Sequence, residues 1–279
     1  MAFYSGSRIN TNVGALNAFN AMSKINSQIG SVQMRLASGK RVNSAADDPA
    51  GYTIGKKLEA RSKSLSAALN NVGELKNILS VAEGGLQEIN NLLVGIKEKA
   101  IQAANGSYGS EELNAIVTQV KDSLNEIDDI ISETKFNGTS LLNNQFTSKI
   151  FQTGADGGDS MTVSLSATID SADFNLSSIT SATFNSTNLT ATLNSLDSAI
   201  NRVSGELQVV GSLTSRLDVK ESTLMSSITN TDAAASRIMD ADVAKEQLNL
   251  TKLQILQQTS TIQLAQANSS PQSVLQLFG

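Results

Sequence analysis

The chain has 279 residues, a formal net charge of −5, 4% aromatic residues and no Trp, Cys or His. Without Cys there is no disulfide or thiolate metal site, and without His neither a Ser-His-Asp arrangement nor an HExxH zinc site can be built. The modest acidity offers no attraction for nucleic acid, and the shortage of aromatics argues against one large globular core.

The first predicted element is a helix. Ile9, Val13, Leu16, Phe19, Met22, Ile25, Ile29, Val32 and Leu36 recur at steps of three or four, with only Arg8, Lys24 and Arg35 charged before Lys40. That spacing puts the apolar groups on one helical face. Ser38-Gly39-Lys40 has the look of a phosphate loop, but the position five residues before Gly39 is Met34 instead of glycine. A helix end closed by Gly39 is the better reading. Met1 to Asn10 carries no basic segment followed by an apolar run, so no cleaved secretory signal is expected.

Further on, Leu58, Leu65, Ala68, Val72, Leu75, Leu79, Ala82, Leu86, Ile89, Leu93, Ile96 and Ala100 hold a three/four spacing with one turn skipped at Ser62. At about 1.5 Å per residue this predicts a rod of roughly 60 Å, longer than a small domain is wide. Asn105-Gly106-Ser107 through Gly109 breaks it. A second inner helix carries Leu113, Ile116, Val120, Leu124, Ile127 and Ile131, until Phe136-Asn137-Gly138. From about 145 to 190 the composition turns to Ser, Thr, Asn and Gly, and Met161, Val163 and Leu165 alternate as in a half-buried strand. Gly154-Ala155-Asp156-Gly157-Gly158-Asp159 reads as a turn with a remote chance of binding calcium, and Asn175-Leu176-Ser177 and Asn188-Leu189-Thr190 are weak glycosylation triplets.

A third inner helix follows with Leu196, Ile200, Val203, Leu207, Val210, Leu217, Leu224 and Ile228; Thr214 and Glu221 fall on its seam and predict looser packing there. In the last helix Leu248, Ile255 and Ile262 recur every seven residues, joined by Leu253, Leu256 and Leu264, with no charge after Lys252. Gln257, Gln258, Gln263 and Gln266 interrupt that stretch, so it is no membrane span. Only Pro49 and Pro271 occur, leaving everything between them free of the strongest helix breaker. Neither terminal helix can offset its ordering entropy by burying a stripe alone, so each needs the other and neighbouring subunits. Adjacent acids such as Asp47-Asp48, Glu111-Glu112 and Asp128-Asp129 cap or solvate helices, and no catalytic, metal or cofactor site is expected. The fold class is mainly α: a long antiparallel helical bundle or coiled coil from paired terminal segments, with a small β-hairpin region in the middle.

Specific motifs sharpen this. They are Ser7-Arg8-Ile9-Asn10-Thr11-Asn12; Leu36 through Asp48 with Ala50-Gly51; Ala82-Glu83-Gly84 with Leu86 and Ile89-Asn90-Asn91; and Lys135-Phe136-Asn137-Gly138. Near the other end stand Ser236-Arg237-Ile238 with Asp240 and Asp242, and Leu264-Ala265-Gln266-Ala267-Asn268 through Pro271-Gln272-Ser273-Val274-Leu275. In this combination and order the chain resembles bacterial flagellin over about residues 7–150 and 195–279.

The resemblance implies a filament subunit that carries motor torque for swimming. Residues 1–44 and 238–279 would form the inner helical domain, and 45–237 the next domain outward, with the variable segment at about 145–190 and no large outer domain. It also implies an export chaperone, signal-free type III export, secretion to the cell exterior, and assembly beneath a cap on a hook–filament junction. Candidate polymerisation contacts are Ile9, Val13, Leu16, Ile25, Ile29, Val32, Leu253, Leu256, Ile262, Leu264, Val274, Leu275, Leu277 and Phe278. Flagellins that activate the flagellin-sensing Toll-like receptor present an Arg, a Leu and a Glu where, aligned through Glu98, Ala100 and Gln102, this chain has Gly95, Lys99 and Gln119. Weak recognition is therefore expected. The alternatives are a hook–filament junction protein, whose family matches the ending less well, and a secreted coiled-coil interaction protein without a polymer state. A metalloprotease-bearing flagellin is contradicted by the missing His and the short insert.

Overall fold

A computed structural model describes residues 11–105, 107–165 and 189–278, the side chains of 189 and of 270–278 excepted. Ile9 and both glycosylation triplets lie wholly or partly outside the described residues. The elements are α1 (Val13–Ser38), α2 (Pro49–Ala103), α3 (Ser110–Glu133), β1 (Lys135–Phe136), β2 (Thr139–Ser140), β3 (Lys149–Gln152), β4 (Ser160–Val163), α4 (Leu189–Met239) and α5 (Val243–Phe278). They sort into two compact units, one from the stretches up to Ala60 and from Asn230 onward, the other Arg61–Thr229.

In the second unit the predicted stripe of α2 is the core. Leu65, Ala68, Val72, Leu75, Leu79, Ala82, Leu86, Ile89, Leu93, Ile96 and Ala100 are all buried. They cluster with Ile116, Val120, Leu124, Ile127 and Ile131 of α3 and with Leu196, Val203, Val210, Leu217 and Leu224 of α4. The seam of α4 is tighter than expected near Thr214. Leu213 is buried and fills the place between Val210 and Leu217, while the Thr214 hydroxyl donates to the Val210 carbonyl at 3.0 Å. Glu221 reaches across to α2, where Lys76 Nζ lies 2.8 Å from it and 2.7 Å from Asp218. Those two carboxylates push the Lys76 ammonium pKa upward. Lys97 pairs with Asp197 on the same two helices.

Two antiparallel hairpins cover one part of this core. Asn137 and Gly138, both at positive φ, join β1 to β2 with Phe136 opposite Thr139. Two consecutive positive-φ residues of type Asn-Gly are what a tight hairpin turn with the natural strand twist requires. The sequence marks Phe136-Asn137-Gly138 as the end of a helix and, with Lys135, as a family motif; the hairpin is a finding of the structure. β3 pairs with β4, Phe151 opposite Met161, and the expected alternation holds, with Met161 half-buried and Val163 buried. Leu165 is buried just past the strand, and its N–H donates to the Phe146 carbonyl at 2.8 Å.

Two adjacent glycines of α2 differ in what a side chain would meet. A Cβ on Gly85 would stand 2.7 Å from Thr134 Oγ1 and 3.0 Å from Leu142 Cδ1, whereas one on Gly84 would meet nothing within 4 Å. Gly84→Ala should therefore stabilise the monomer by up to about 1 kcal/mol through helix propensity. Gly85→Ala should instead cost about 1–3 kcal/mol by displacing the Thr134–Leu142 connection. Thermal unfolding of the two variants checks this; equal shifts of the same sign would contradict it.

Candidate assembly interface

In the first unit α1 lies against α5, and the connections flanking them run side by side. The side-chain oxygen of Asn12 accepts from Ala15 N at 2.9 Å and opens α1; Gly39 closes it at φ 67°. The phosphate-loop look-alike is thus a helix C-cap, as glycine in the left-handed region commonly provides. Beyond it Arg41 N donates to the Met239 carbonyl at 2.6 Å, and Ala241 N to the Gly39 carbonyl at 2.9 Å. Lys40 and Asp240 form an antiparallel bridge, and Arg41 Nη2 donates to the Ile238 carbonyl at 2.8 Å. Two motifs almost 200 residues apart in sequence are therefore one structural feature.

The nearby acids act locally. Asp48 accepts from Gly51 N at 2.9 Å at the start of α2, where Pro49 takes the first helical position, and Asp242 accepts from Lys245 N at 3.1 Å at the start of α5. Asp47 accepts from Ser44 N, the Ser44 hydroxyl and Asn43 N, and these bonds hold its carboxyl below the usual range. Among the described residues no group of three or more acids, His or Cys is placed to hold a metal ion, and no helix is long and apolar enough to cross a membrane.

The apolar residues of α1 divide between two faces. Met22, Ile25, Ile29, Val32 and Leu36 are half-buried or buried on the side that meets α5, whereas Val13, Leu16 and Phe19 are more than half exposed. On α5 the less exposed residues are Glu246, Leu250, Leu253, Gln257, Ser260, Leu264 and Ala267, an unbroken three/four repeat. That repeat is the intrachain seam, and almost half of it is polar. The heptad row Leu248, Ile255 and Ile262 points elsewhere, with exposures of 73%, 58% and 69%; Leu256 is also exposed. An apolar row on α5 is thus left uncovered by the described residues of its own chain. Val274, Leu275, Leu277 and Phe278 lie in the last turns of α5, where only the backbone is described.

Polar groups index the pairing of the two helices. Gln257 Nε2 donates to Asn26 Oδ1 at 2.7 Å, Arg35 stands 3.7 Å from the buried Glu246, and Asn12 Nδ2 donates to the Ala267 carbonyl at 2.7 Å. The last bond has a cause in the sequence. Residue 271, four positions beyond Ala267, is proline, which lacks the N–H that would otherwise take that carbonyl within the helix. Asn12, Arg35 and Gln257 stood out in the sequence only as a motif residue, a charge and a break in the apolar stretch; that they tie the two helices together is not visible there, because an apolar-period search passes over polar side chains. Asn12→Asp keeps the capping oxygen and removes the donor. It should weaken assembled filaments by about 1 kcal/mol, read as a lower depolymerisation temperature, with no loss of stability in the unit Arg61–Thr229. An unchanged depolymerisation temperature would count against the tie.

Two family models match this chain: the bacterial flagellin N-terminal helical region over residues 9–147 and the C-terminal helical region over residues 193–278. The chain belongs to the flagellin family. Flagellin FlaB1 of Treponema pallidum (strain Nichols) is 32% identical over 287 residues, covering 97% of this chain and 99% of that protein. Flagellin of Bacillus subtilis (strain 168) is 33% identical over 304 residues, with 97% and 99% covered. A solved putative flagellar hook-associated protein from Vibrio parahaemolyticus shares the fold at a TM-score of 0.59 and 18% identity, over 70% of this chain and all of that one. As a flagellin, the chain is a structural subunit of the flagellar filament. Its two matched regions leave only residues 148–192 between them, in keeping with the lack of a large outer domain.

The three positions aligned from sequence with the receptor-binding Arg, Leu and Glu all lie in the second unit. Gly95 sits on α2 with nothing within 4 Å of where a Cβ would be, Lys99 is half-buried one turn on, and Gln119 is exposed on α3.

Proposed function

We propose that the subunit polymerises through its paired termini, with residues 1–44 and 238–279 forming the inner layer of the filament and 45–237 the layer outside it. The observation that carries this reading is the row Leu248, Ile255 and Ile262, apolar, evenly spaced and uncovered among the described residues. Val13, Leu16 and Phe19 offer a second uncovered apolar surface on α1. Burial of a leucine-sized side chain contributes about 1.5–3 kcal/mol, which a neighbouring copy supplies on assembly. The filament so built is extracellular and transmits motor torque without catalysis. Its subunits leave through the type III export channel with a chaperone, and assemble under a cap on the junction proteins. Nucleic acid and membrane are not partners, and the altered Gly95, Lys99 and Gln119 make the flagellin-sensing Toll-like receptor a weak one.

Both termini should order fully only on assembly. Proteases should trim free monomer before Lys40 and after Asp240 while sparing the same stretches in filaments; equal resistance of the two would contradict the proposal. Deleting residues 271–279 removes Val274, Leu275, Leu277 and Phe278 together. Polymerisation should fall sharply while the helical signal of the second unit persists, and normal filaments from the shortened chain would count against a role for that end.

A further inference from the structure

The unit Arg61–Thr229 carries two charged surfaces of opposite sign. Arg216 and Lys220 stand one turn apart on α4 and, with Thr153, Ser160, Met161 and Val219, line an open groove of about 400 Å³ beside the β3–β4 hairpin. The acids nearest them in sequence, Asp218 and Glu221, are turned to Lys76 on α2. Among the described residues, neither Arg216 nor Lys220 has an ion pair. The groove therefore presents two cations over a partly apolar floor, Val219 being 67% exposed.

The same unit carries the matching anions where its own groove does not take them. Asp122, Glu126, Asp129 and Glu133 follow at steps of four, three and four along α3, all exposed, opposite the face that buries Val120, Leu124, Ile127 and Ile131. This spacing makes one stripe about 16 Å long at 1.5 Å per residue. None of the four is ion-paired among the described residues, and Lys121 is the one base on that helix.

We infer that the α3 stripe of one subunit docks on the α4 groove of a neighbouring copy, with Glu126 and Asp129 meeting Arg216 and Lys220. Neighbouring carboxylates on one helical face are spaced like two cations at i and i+4, so both pairs form together. Stripe and groove are different surfaces of one chain, so the contact is head-to-tail, the class that extends into an open helix wherever the rotation between copies does not close a ring. The inference rests on the filament reading and adds a charge-selective contact outside the terminal helices. Charge complementarity of this kind fixes register and partner choice more than raw affinity.

Charge reversal tests it. Arg216→Glu with Lys220→Glu, and separately Glu126→Lys with Asp129→Lys, should each raise the critical concentration for polymerisation about tenfold at low salt. An equimolar mixture of the two variants, and a single chain with all four changes, should return close to wild type, because every groove again faces the opposite charge. The neutral changes Arg216→Gln with Lys220→Gln should give a smaller rise that high salt erases. Unchanged assembly of either reversed variant, or a four-fold variant no better than the doubles, overturns the pairing. Wild-type chain under the same conditions reads assembly itself. Its failure to form filaments overturns the filament reading and this contact with it, whereas wild-type filaments beside indifferent variants overturn the contact alone.

Discussion

Replacing Leu248, Ile255 and Ile262 together with glutamate should raise the critical concentration for polymerisation by at least about a thousandfold. The three side chains are mostly exposed in the single chain, so the substitutions remove nothing that the subunit uses for itself. Losing about 1.5–3 kcal/mol of burial at each position removes about 4.5 kcal/mol or more from every subunit contact, and each 1.4 kcal/mol is a factor of ten. Glutamates placed one residue earlier, at Gln247, Gln254 and Thr261, add the same charge on an adjacent exposed face and keep the apolar row. They should be far milder. Sedimentation of polymer at graded protein concentration distinguishes the two sets, and equal impairment by both would remove the special status of the row.

Receptor signalling carries the second large effect. Gly95 lacks the guanidinium fork that pairs bidentately with an acceptor, Lys99 puts a hydrated ammonium where an apolar group would be buried, and Gln119 removes a negative charge. Interface anchors commonly cost about 2 kcal/mol or more each when lost. Even with strong non-additivity, monomer should be about a thousandfold less potent in a reporter-cell assay than a flagellin bearing Arg, Leu and Glu. The triple change Gly95→Arg, Lys99→Leu and Gln119→Glu should recover much of that potency. A Cβ at Gly95 meets nothing within 4 Å, so the added side chain leaves the helix without a clash at its root. Equal potency of the unaltered chain and an Arg/Leu/Glu-bearing flagellin would refute the account.

The long inner helices were legible because their burial follows period alone. Eleven α2 positions chosen by three/four spacing, from Leu65 to Ala100, are buried, since a helix that packs along its whole length has no freedom to change face. The β1–β2 hairpin was missed, although Asn137-Gly138 carried its turn chemistry, because strands of two residues have no periodicity to detect. Leu213 escaped for a related reason. A seam drawn at fixed heptads does not show where a polar Thr214 shifts the buried role by one residue.

The terminal interface was legible in its residue types but not in its division of labour. One list held Ile25, Ile29, Val32, Leu253 and Leu264, which meet the opposite terminal helix inside the chain. It also held Val13, Leu16, Leu256 and Ile262, which stand exposed. Period cannot tell a face covered by the same chain from one left for another copy, because both are apolar stripes. What separates them is the polar ladder of Asn12, Asn26, Arg35, Glu246 and Gln257, and those bonds become visible only once α1 and α5 are placed together.

A cysteine at position 255 tests the central claim most directly, since the natural sequence has no other to confuse the signal. Ile255→Cys should react readily with a maleimide in the monomer and become at least about a hundredfold slower in intact filaments, because neighbouring subunits exclude solvent from the row. Equal reactivity in monomer and filament would mean that the exposed face of α5 stays open in the polymer, and would contradict assembly through it.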